Sequence, residues 1–339
     1  MRAIVLHAPG DYRLEDRPKP QAAAGEVLLR VASVGVCGSD LPRMLVKGAH
    51  KMPLITGHEF SGRVAEIGDG VTGWSEDELV AVAPLLPCYR CSQCKTGNFS
   101  RCRDYDYFGS RRDGAYAEFV AAPVGNLMKV PQQADPRAIA MVDPASIALH
   151  AIWKGGGIDI GKVGAVVGCG PIGLFVIQWM RLMGATEVIA VDVSEEKLEL
   201  AREAGATIRL LPQDLADNEA RADLVVEAVG LEATINTAVD LAAPGGHVAL
   251  IGIPVPDVTL KNTTYQTLLR QEISIHGSWN SFGAPFPGPQ WSETIAALAD
   301  GRLRWEFLIS HDLDLAELPD VFDRFRTRNI VFSKVLFRP

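Results

Sequence analysis

Up to about residue 130, apolar and polar positions alternate, or gather into short β-branched runs, between glycine- and proline-rich turns. "GEVLLRVASVGVCG", "FSGRVAEIGDGV", "ELVAVAP" and "YAEFVAAP" read as strands. Helical periodicity is weak there, which predicts a β-rich domain, a barrel among its options. From about residue 150 the rhythm changes. "VGAVVGCG" is an apolar strand ending in glycines, and "PIGLFVIQWMRLMGA" is a helix apolar on most faces, hence buried. Strands "TEVIAVD", "TIRLL", "DLVVEAVG", "HVALIGI" and "EISIHGS" then alternate with helices "SEEKLELAREAG" and "LEATINTAVDLAAPGG". Ser194 is the expected N-cap of the first of these helices. This alternation predicts an α/β, doubly wound parallel sheet with helices on both faces. The tail adds one or two helices from "WSETIAALADGRL" onward. It ends in "IVFSKVLFRP", a strand-like run expected to rejoin the first domain's sheet.

At 339 residues the chain accommodates two domains with separate cores. Hydrophobic residues make up 47% and charged residues 22%, as in an ordinary soluble globular protein. The first twenty residues lack a signal-peptide pattern, and the most apolar later stretch carries Arg181 and is too short to span a bilayer. A cytoplasmic location without membrane partners is expected. The net charge is −8, spread along the chain, which argues against a nucleic-acid partner.

Four of the six cysteines, Cys88, Cys91, Cys94 and Cys102, fall in a C-x2-C-x2-C-x7-C pattern. A reducing compartment disfavours disulfides, and four thiolates at this spacing suit a tetrahedral zinc. "KTGN" supplies turn chemistry for the last reversal. No position is left for water, so the site is expected to be structural; paired disulfides or buried free thiols are the lesser alternative. Cys169 is expected to be a small packed side chain.

"VVGCGPIG" holds Gly168, Gly170 and Gly173 as G-x-G-x-x-G between a predicted strand and a predicted helix. The glycines serve the tight turn, the close approach of a pyrophosphate and helix–strand packing. The phosphates would rest on the helix N-terminus. Asp192 closes "VIAVD"; a carboxylate there accepts from both ribose hydroxyls and repels a 2′-phosphate. No arginine follows it, so the expected cofactor is NAD rather than NADP.

Two further stretches carry metal donors: "GVCGSD" offers Cys37, and "GHEFSG" offers His58 and Glu59. One soft, one borderline and one hard donor suffice to hold zinc with room for substrate.

In this order, these motifs resemble the zinc-dependent medium-chain dehydrogenase/reductase family over the whole chain. "CGSDLPR", "GAH", "PLLPC", "GSRRDG", "GSW" and "PFPG" resemble its polyol branch, in particular members acting on sugar-alcohol phosphates. The resemblance implies a GroES-like β-rich catalytic domain over residues 1–148 with a structural zinc lobe at 85–105. It also implies a Rossmann domain over 149–285 and a return to the catalytic domain over 286–339. It implies two zincs per chain and Cys37, His58 and Glu59 as catalytic ligands. Asp143, in "MVDPASIALHA", stands where the branch carries a glutamate; one methylene shorter, it reaches the ion only through water or after a backbone shift. Many relatives have a histidine where this chain has Pro42, so Ser39 becomes the expected first proton-relay hydroxyl, with His50 a further member.

The resemblance places NAD on Gly168, Gly170, Pro171, Ile172, Gly173, Asp192 and Lys197, and on Val229, Gly230, Ile251 and Gly252. A phosphorylated substrate needs a cationic clamp: Arg111 and Arg112, with Arg43 and Lys47 as alternatives. The resemblance also implies Phe108, Trp279 and Asn280 around the pocket. The chemistry implied is Lewis-acid activation of a secondary hydroxyl, loss of its proton through Ser39, the ribose or water, and hydride transfer to NAD. The expected substrate is a polyol or polyol phosphate and the expected assembly a homodimer or homotetramer, in which "HVALIGI" or its neighbouring strand pairs across a two-fold axis. A non-enzymatic nicotinamide-binding protein is the reading from another class; the intact donor set speaks against it. A zinc-free quinone-type reductase would lack both metal sets.

Overall fold

The structure, a computed structural model, describes residues 1–217, 219–254, 256–327 and 332–339. The chain divides into two compact units. One comprises Met1–Asp143, Phe282–Gly301 and Ile309–Pro339; the other comprises Pro144–Ser281 and Arg302–Leu308. The divides thus fall a few residues before the expected 148/149 and 285/286, and a short later segment joins the second unit.

The first unit is built on a seven-stranded sheet. Its central strand, Glu26–Gly35, pairs antiparallel with Glu59–Ile67 on one side. On the other side it pairs with Phe119–Pro123 along its first half and with Lys334–Arg338 at its end. Val27, Leu29 and Val31 alternate into a core with Phe60, Val64, Phe108, Tyr116 and Phe337. The strand-like tail therefore does rejoin this sheet; Ile330 and Val331 of that run lie outside the described residues. Register decides what meets at the sheet's end. Gly35 faces Glu59, and Leu336 faces Gly35. The loop that leaves Gly35 carries Cys37, and the loop entering the Glu59 strand carries His58.

The second unit holds a six-stranded parallel sheet. Its strands, in chain order, lie third, second, first, fourth, fifth, sixth across it. This is the doubly wound dinucleotide-binding order, with its switch point between the first and fourth strands, Val163–Val167 and Ala222–Glu227. Ser194 caps the helix Glu195–Ala204, accepting from the Lys197 N–H at 3.3 Å. One helix ends earlier than its pattern predicts. It covers Glu232–Leu241, and the fifth strand starts at Ala242, because Pro244 has no N–H and drives Ala243 into extended backbone. Helices Val142–Lys154 and Asn262–Arg270 go unread in the sequence. No helix among the described residues is long and apolar enough to cross a membrane.

Candidate metal centres and cofactor site

The four clustered cysteines converge. Their Sγ atoms all lie within 4.8 Å of one another, with Cys88–Cys94 and Cys91–Cys102 at 4.0 Å. A zinc–sulfur bond of ~2.3 Å gives a tetrahedral edge of about 3.8 Å, so the cage has the size of one ion. These separations exclude disulfides, and all six cysteines are free. The turn Thr96–Asn98 passes through Gly97 at φ +74°, as "KTGN" predicts. Backbone N–H groups already favour thiolate: those of Arg103 and Cys94 pull the Cys91 thiol down to about 6. Burial pushes the Cys94 thiol up to about 12, an effect that a divalent ion would offset.

Cys37, His58 and Glu59 form the second group, with one ligand atom from each within 4.8 Å of the others. Thiolate, imidazole and carboxylate leave a tetrahedral ion one further position, the open geometry of a catalytic zinc. The residues present therefore fit the ion. Ser39 donates from Oγ to the Cys37 sulfur at 3.3 Å.

Two residues unread in the sequence complete this group. Asp40 is wholly buried. Its Oδ2 accepts from the Cys37 N–H at 3.1 Å and the Tyr116 hydroxyl at 3.0 Å; its Oδ1 pairs with Arg43 and lies 3.5 Å from His58 Nδ1. Burial alone would raise its pKa, but the charges of His58 and Arg43 hold it well below the usual carboxylate range. Such a carboxylate fixes the orientation of a histidine ligand. Lys334 is also buried, and its Nζ donates both to Glu59 Oε2 and to the Val36 carbonyl at 2.9 Å. Gly35 leaves room for this pair: a Cβ there would lie 2.8 Å from Glu59 Oε2 and from Lys334 Cε. The signals were a carboxylate three residues past Cys37 and a lone lysine in an apolar strand.

Asp143 is buried nearby but is not a member of the group that closes within 4.8 Å. Its carboxyl is pushed up to about 7, by burial first and by Glu59 as well, against the pull of His58 and Lys334. Tyr107 packs its ring against His58, centroids 5.6 Å apart and edge-on. Burial, Asp143 and Cys37 raise its hydroxyl well above the ordinary range.

The expected substrate contacts separate. Phe108 is corrected: it is fully buried, edge-on to Phe60 at 5.7 Å, and belongs to the core rather than to an open wall. Arg43 is committed to Asp40, and Arg112 pairs with Glu26 at 3.4 Å while covering the Phe108 ring. Arg111 stacks on Tyr105 at 4.4 Å, and its buried Nε has no hydrogen-bond partner among the described residues. The Tyr105 ring in turn contacts Tyr107 at 6.3 Å. The His50 side chain is exposed on a loop held by its N–H to the Ser110 carbonyl. Trp279, half exposed, and Asn280, at φ +53°, belong to the second unit.

In that unit, Gly168 sits at φ +100° directly after the first strand. A Cβ on Gly173 would lie 2.0 Å from the Gly168 carbonyl oxygen, whereas one on Gly170 would meet nothing within 4 Å. The turn is thus tight where it packs and open where a phosphate would approach. Pro171 opens the helix Pro171–Leu182, which no side chain caps, leaving its N–H groups for a ligand. Asp192 closes the second strand and accepts from the N–H groups of Cys169 at 2.8 Å and Ser194 at 3.0 Å. Val229 and Gly230 follow the fourth strand, and Ile251 and Gly252 the fifth. Lys197 lies in the first turn of the helix after Asp192. The cradle fits a dinucleotide.

Residues 23–132 match the alcohol dehydrogenase GroES-like domain, and residues 171–300 match the zinc-binding dehydrogenase domain. Galactitol 1-phosphate 5-dehydrogenase of Escherichia coli K12 is 34% identical over 348 residues, covering 100% of both chains. The chain belongs to the zinc-dependent medium-chain dehydrogenase/reductase family, in its polyol branch. Like the rest of that family it is an oxidoreductase. Sorbitol dehydrogenase of Halalkalibacterium halodurans is 28% identical, covering 100% of this chain and 99% of that one. The crystal structure of galactitol-1-phosphate dehydrogenase from Escherichia coli superposes with a TM-score of 0.94 at 34% identity, over 100% of both chains. A zinc-binding dehydrogenase from Sinorhizobium meliloti 1021 bound to NADP superposes with a TM-score of 0.91 at 29% identity, covering 100% of this chain and 99% of that one. The GroES-like and Rossmann architecture is thus that of the family, as are zinc and a nicotinamide dinucleotide.

Proposed function

We propose that this dehydrogenase oxidises a secondary hydroxyl of a sugar-alcohol phosphate, with NAD as acceptor. The observation that carries the reading is the convergence of Cys37, His58 and Glu59. When bound, zinc supplies Lewis-acid polarisation of the hydroxyl and NAD the hydride acceptor. The chain's own residues do the rest. Cys37, His58 and Glu59 hold the ion, while Asp40 orients His58 and Lys334 orients Glu59. Ser39 Oγ, beside the Cys37 sulfur, is the first hydroxyl to receive the substrate proton. Asp143 contributes through water. Arg111 receives the phosphate: its guanidinium is stacked, lacks a carboxylate partner among the described residues, and stands two ring contacts from His58. The 34% identity to galactitol 1-phosphate 5-dehydrogenase supports the substrate class. Asp192 supports NAD, its carboxylate repelling a 2′-phosphate.

A second reading, a free pentitol or hexitol as substrate, is favoured by the sorbitol dehydrogenase relative. Following absorbance of the reduced cofactor with a panel of polyols and polyol phosphates, each with NAD and with NADP, separates the two. Equal kcat/KM for free and phosphorylated polyols, or no loss of the phosphate preference in Arg111→Ala, removes the clamp. Assembly into two or four copies belongs to the same reading. The last strand, Ser274–Gly277, pairs only with Ala242–Leu250 among the described residues and leaves Ile275 exposed at the sheet edge.

A further inference from the structure

Glu227 ends the fourth strand of the parallel sheet and is wholly buried. Its Oε1 accepts three hydrogen bonds: from the N–H groups of Val229 at 2.9 Å and Gly230 at 2.8 Å, and from the Thr234 hydroxyl at 2.8 Å. Thr234 Oγ1 in turn accepts from the Leu231 N–H at 3.1 Å, and its one proton is shared between Glu227 and the Leu231 carbonyl at 2.9 Å, so Glu227 holds Val229 and Gly230 directly and Leu231 through Thr234. The Glu227 backbone carbonyl accepts from Ile251 at 2.9 Å and Gly252 at 3.2 Å, the turn that follows the fifth strand. Its Oε2 is buried, makes no hydrogen bond and rests against Gly252, where a Cβ would lie 2.6 Å from it. The two turns meet closely: a Cβ on Gly252 would lie 2.0 Å from the Gly230 nitrogen, and one on Gly230 would lie 2.7 Å from the Ile253 nitrogen. Glu227 thus holds the first turn by its side chain, and the second by its backbone carbonyl and by the packing of Oε2 against Gly252, at the carboxyl edge of the sheet.

A doubly wound sheet binds a dinucleotide as two mononucleotide halves. Asp192, directly after the second strand, places the adenosine half over the first three strands. The turns after the fourth and fifth strands serve the other half. We propose that Glu227 is the positioning residue of the nicotinamide half of the cofactor site, holding Val229–Leu231 and Ile251–Ile253 at a fixed spacing and acting through them rather than by touching the cofactor. The inference rests on the reading of this unit as the dinucleotide site.

The distinguishing measurement sets a whole cofactor against its adenosine half. NADH affinity is read by fluorescence titration and AMP affinity by calorimetry, for wild type, Glu227→Ala, Glu227→Gln and Thr234→Val. Loss of three hydrogen bonds in Glu227→Ala should weaken NADH by at least about tenfold. AMP should stay within about twofold, because its contacts lie on the first three strands. Glu227→Gln keeps an acceptor for all three donors and should restore NADH to within about threefold of wild type. Thr234→Val, a milder change, should weaken NADH alone and serves where Glu227→Ala does not fold. Parallel loss of NADH and AMP affinity, or loss of neither, overturns the positioning role. A wild type that binds neither overturns the cofactor reading, and the role of Glu227 with it.

Discussion

Lys334 Nζ donates to Glu59 Oε2 across the end of the first sheet, with both side chains buried. A candidate metal ligand is thereby tied to a cation 275 positions further along the chain. Removing one partner of a buried pair leaves an uncompensated charge, which costs about 3–5 kcal/mol. Lys334→Met should lower the stability of the metal-free protein by that order in urea titration. The double variant Lys334→Met/Glu59→Gln should recover most of the loss. A single-variant loss below about 1 kcal/mol would show that the pair carries no such weight.

Asp40 should matter to metal affinity more than to folding. Asp40→Asn keeps the shape and loses the charge facing His58 Nδ1 and Arg43. The expected effect is a weakening of zinc at the Cys37 site by about 10–100-fold, measured by chelator competition. Zinc held by the four cysteines should be unaffected in the same titration.

Cys94→Ser should lower the zinc content from two ions per chain to one. The segment 88–102 holds only a short helix, Ser92–Lys95, and a single 3-10 turn, Phe99–Arg101. Apart from the anchor of Phe99 and Ser100 on Phe282 and Phe286, the ion is what holds it, and limited proteolysis should cut first in its cysteine-bearing loops. An unchanged digestion pattern in a variant shown to have lost one zinc would refute the structural role.

His150 predicts a pH dependence of stability. It lies buried in the helix Val142–Lys154, and burial, helped by Lys154, lowers its pKa to about 4. The unfolded chain binds its proton near pH 6.5, while the folded chain declines it until about pH 4. Stability is therefore lost as pH falls through this window, by up to about 3 kcal/mol, and the contribution is flat above and below it. In His150→Gln the difference between urea midpoints at pH 7 and pH 4.5 should shrink accordingly.

Much of this site was legible before the fold was known, for an identifiable reason. Cys88, Cys91, Cys94 and Cys102 are close in sequence, so spacing alone limits how they meet. The glycines of "VGCGPIG" are read by where a Cβ cannot go, and Gly168 and Gly173 behave as that logic requires. Asp40 escaped because a carboxylate beside a cysteine reads as an ordinary loop charge until Tyr116 and His58 close on it, and Lys334 escaped because its meaning lies in a register. Lys334 faces Glu59 only because the last strand pairs beside Gly35, and strand order across a sheet leaves no mark on local sequence. Phe108 was placed by the resemblance alone, and its ring packs in the core.

The strand Lys334–Arg338 carries one more implication, about reach. Thiolate, imidazole and carboxylate come from residues 37 to 59, whereas the ammonium that balances the carboxylate stands 275 positions beyond Glu59. All of the second unit lies between them in the sequence. Charge balance at the candidate metal centre therefore depends on closing that long loop, and a variant without this strand would keep Cys37, His58 and Glu59 and lack the counter-charge.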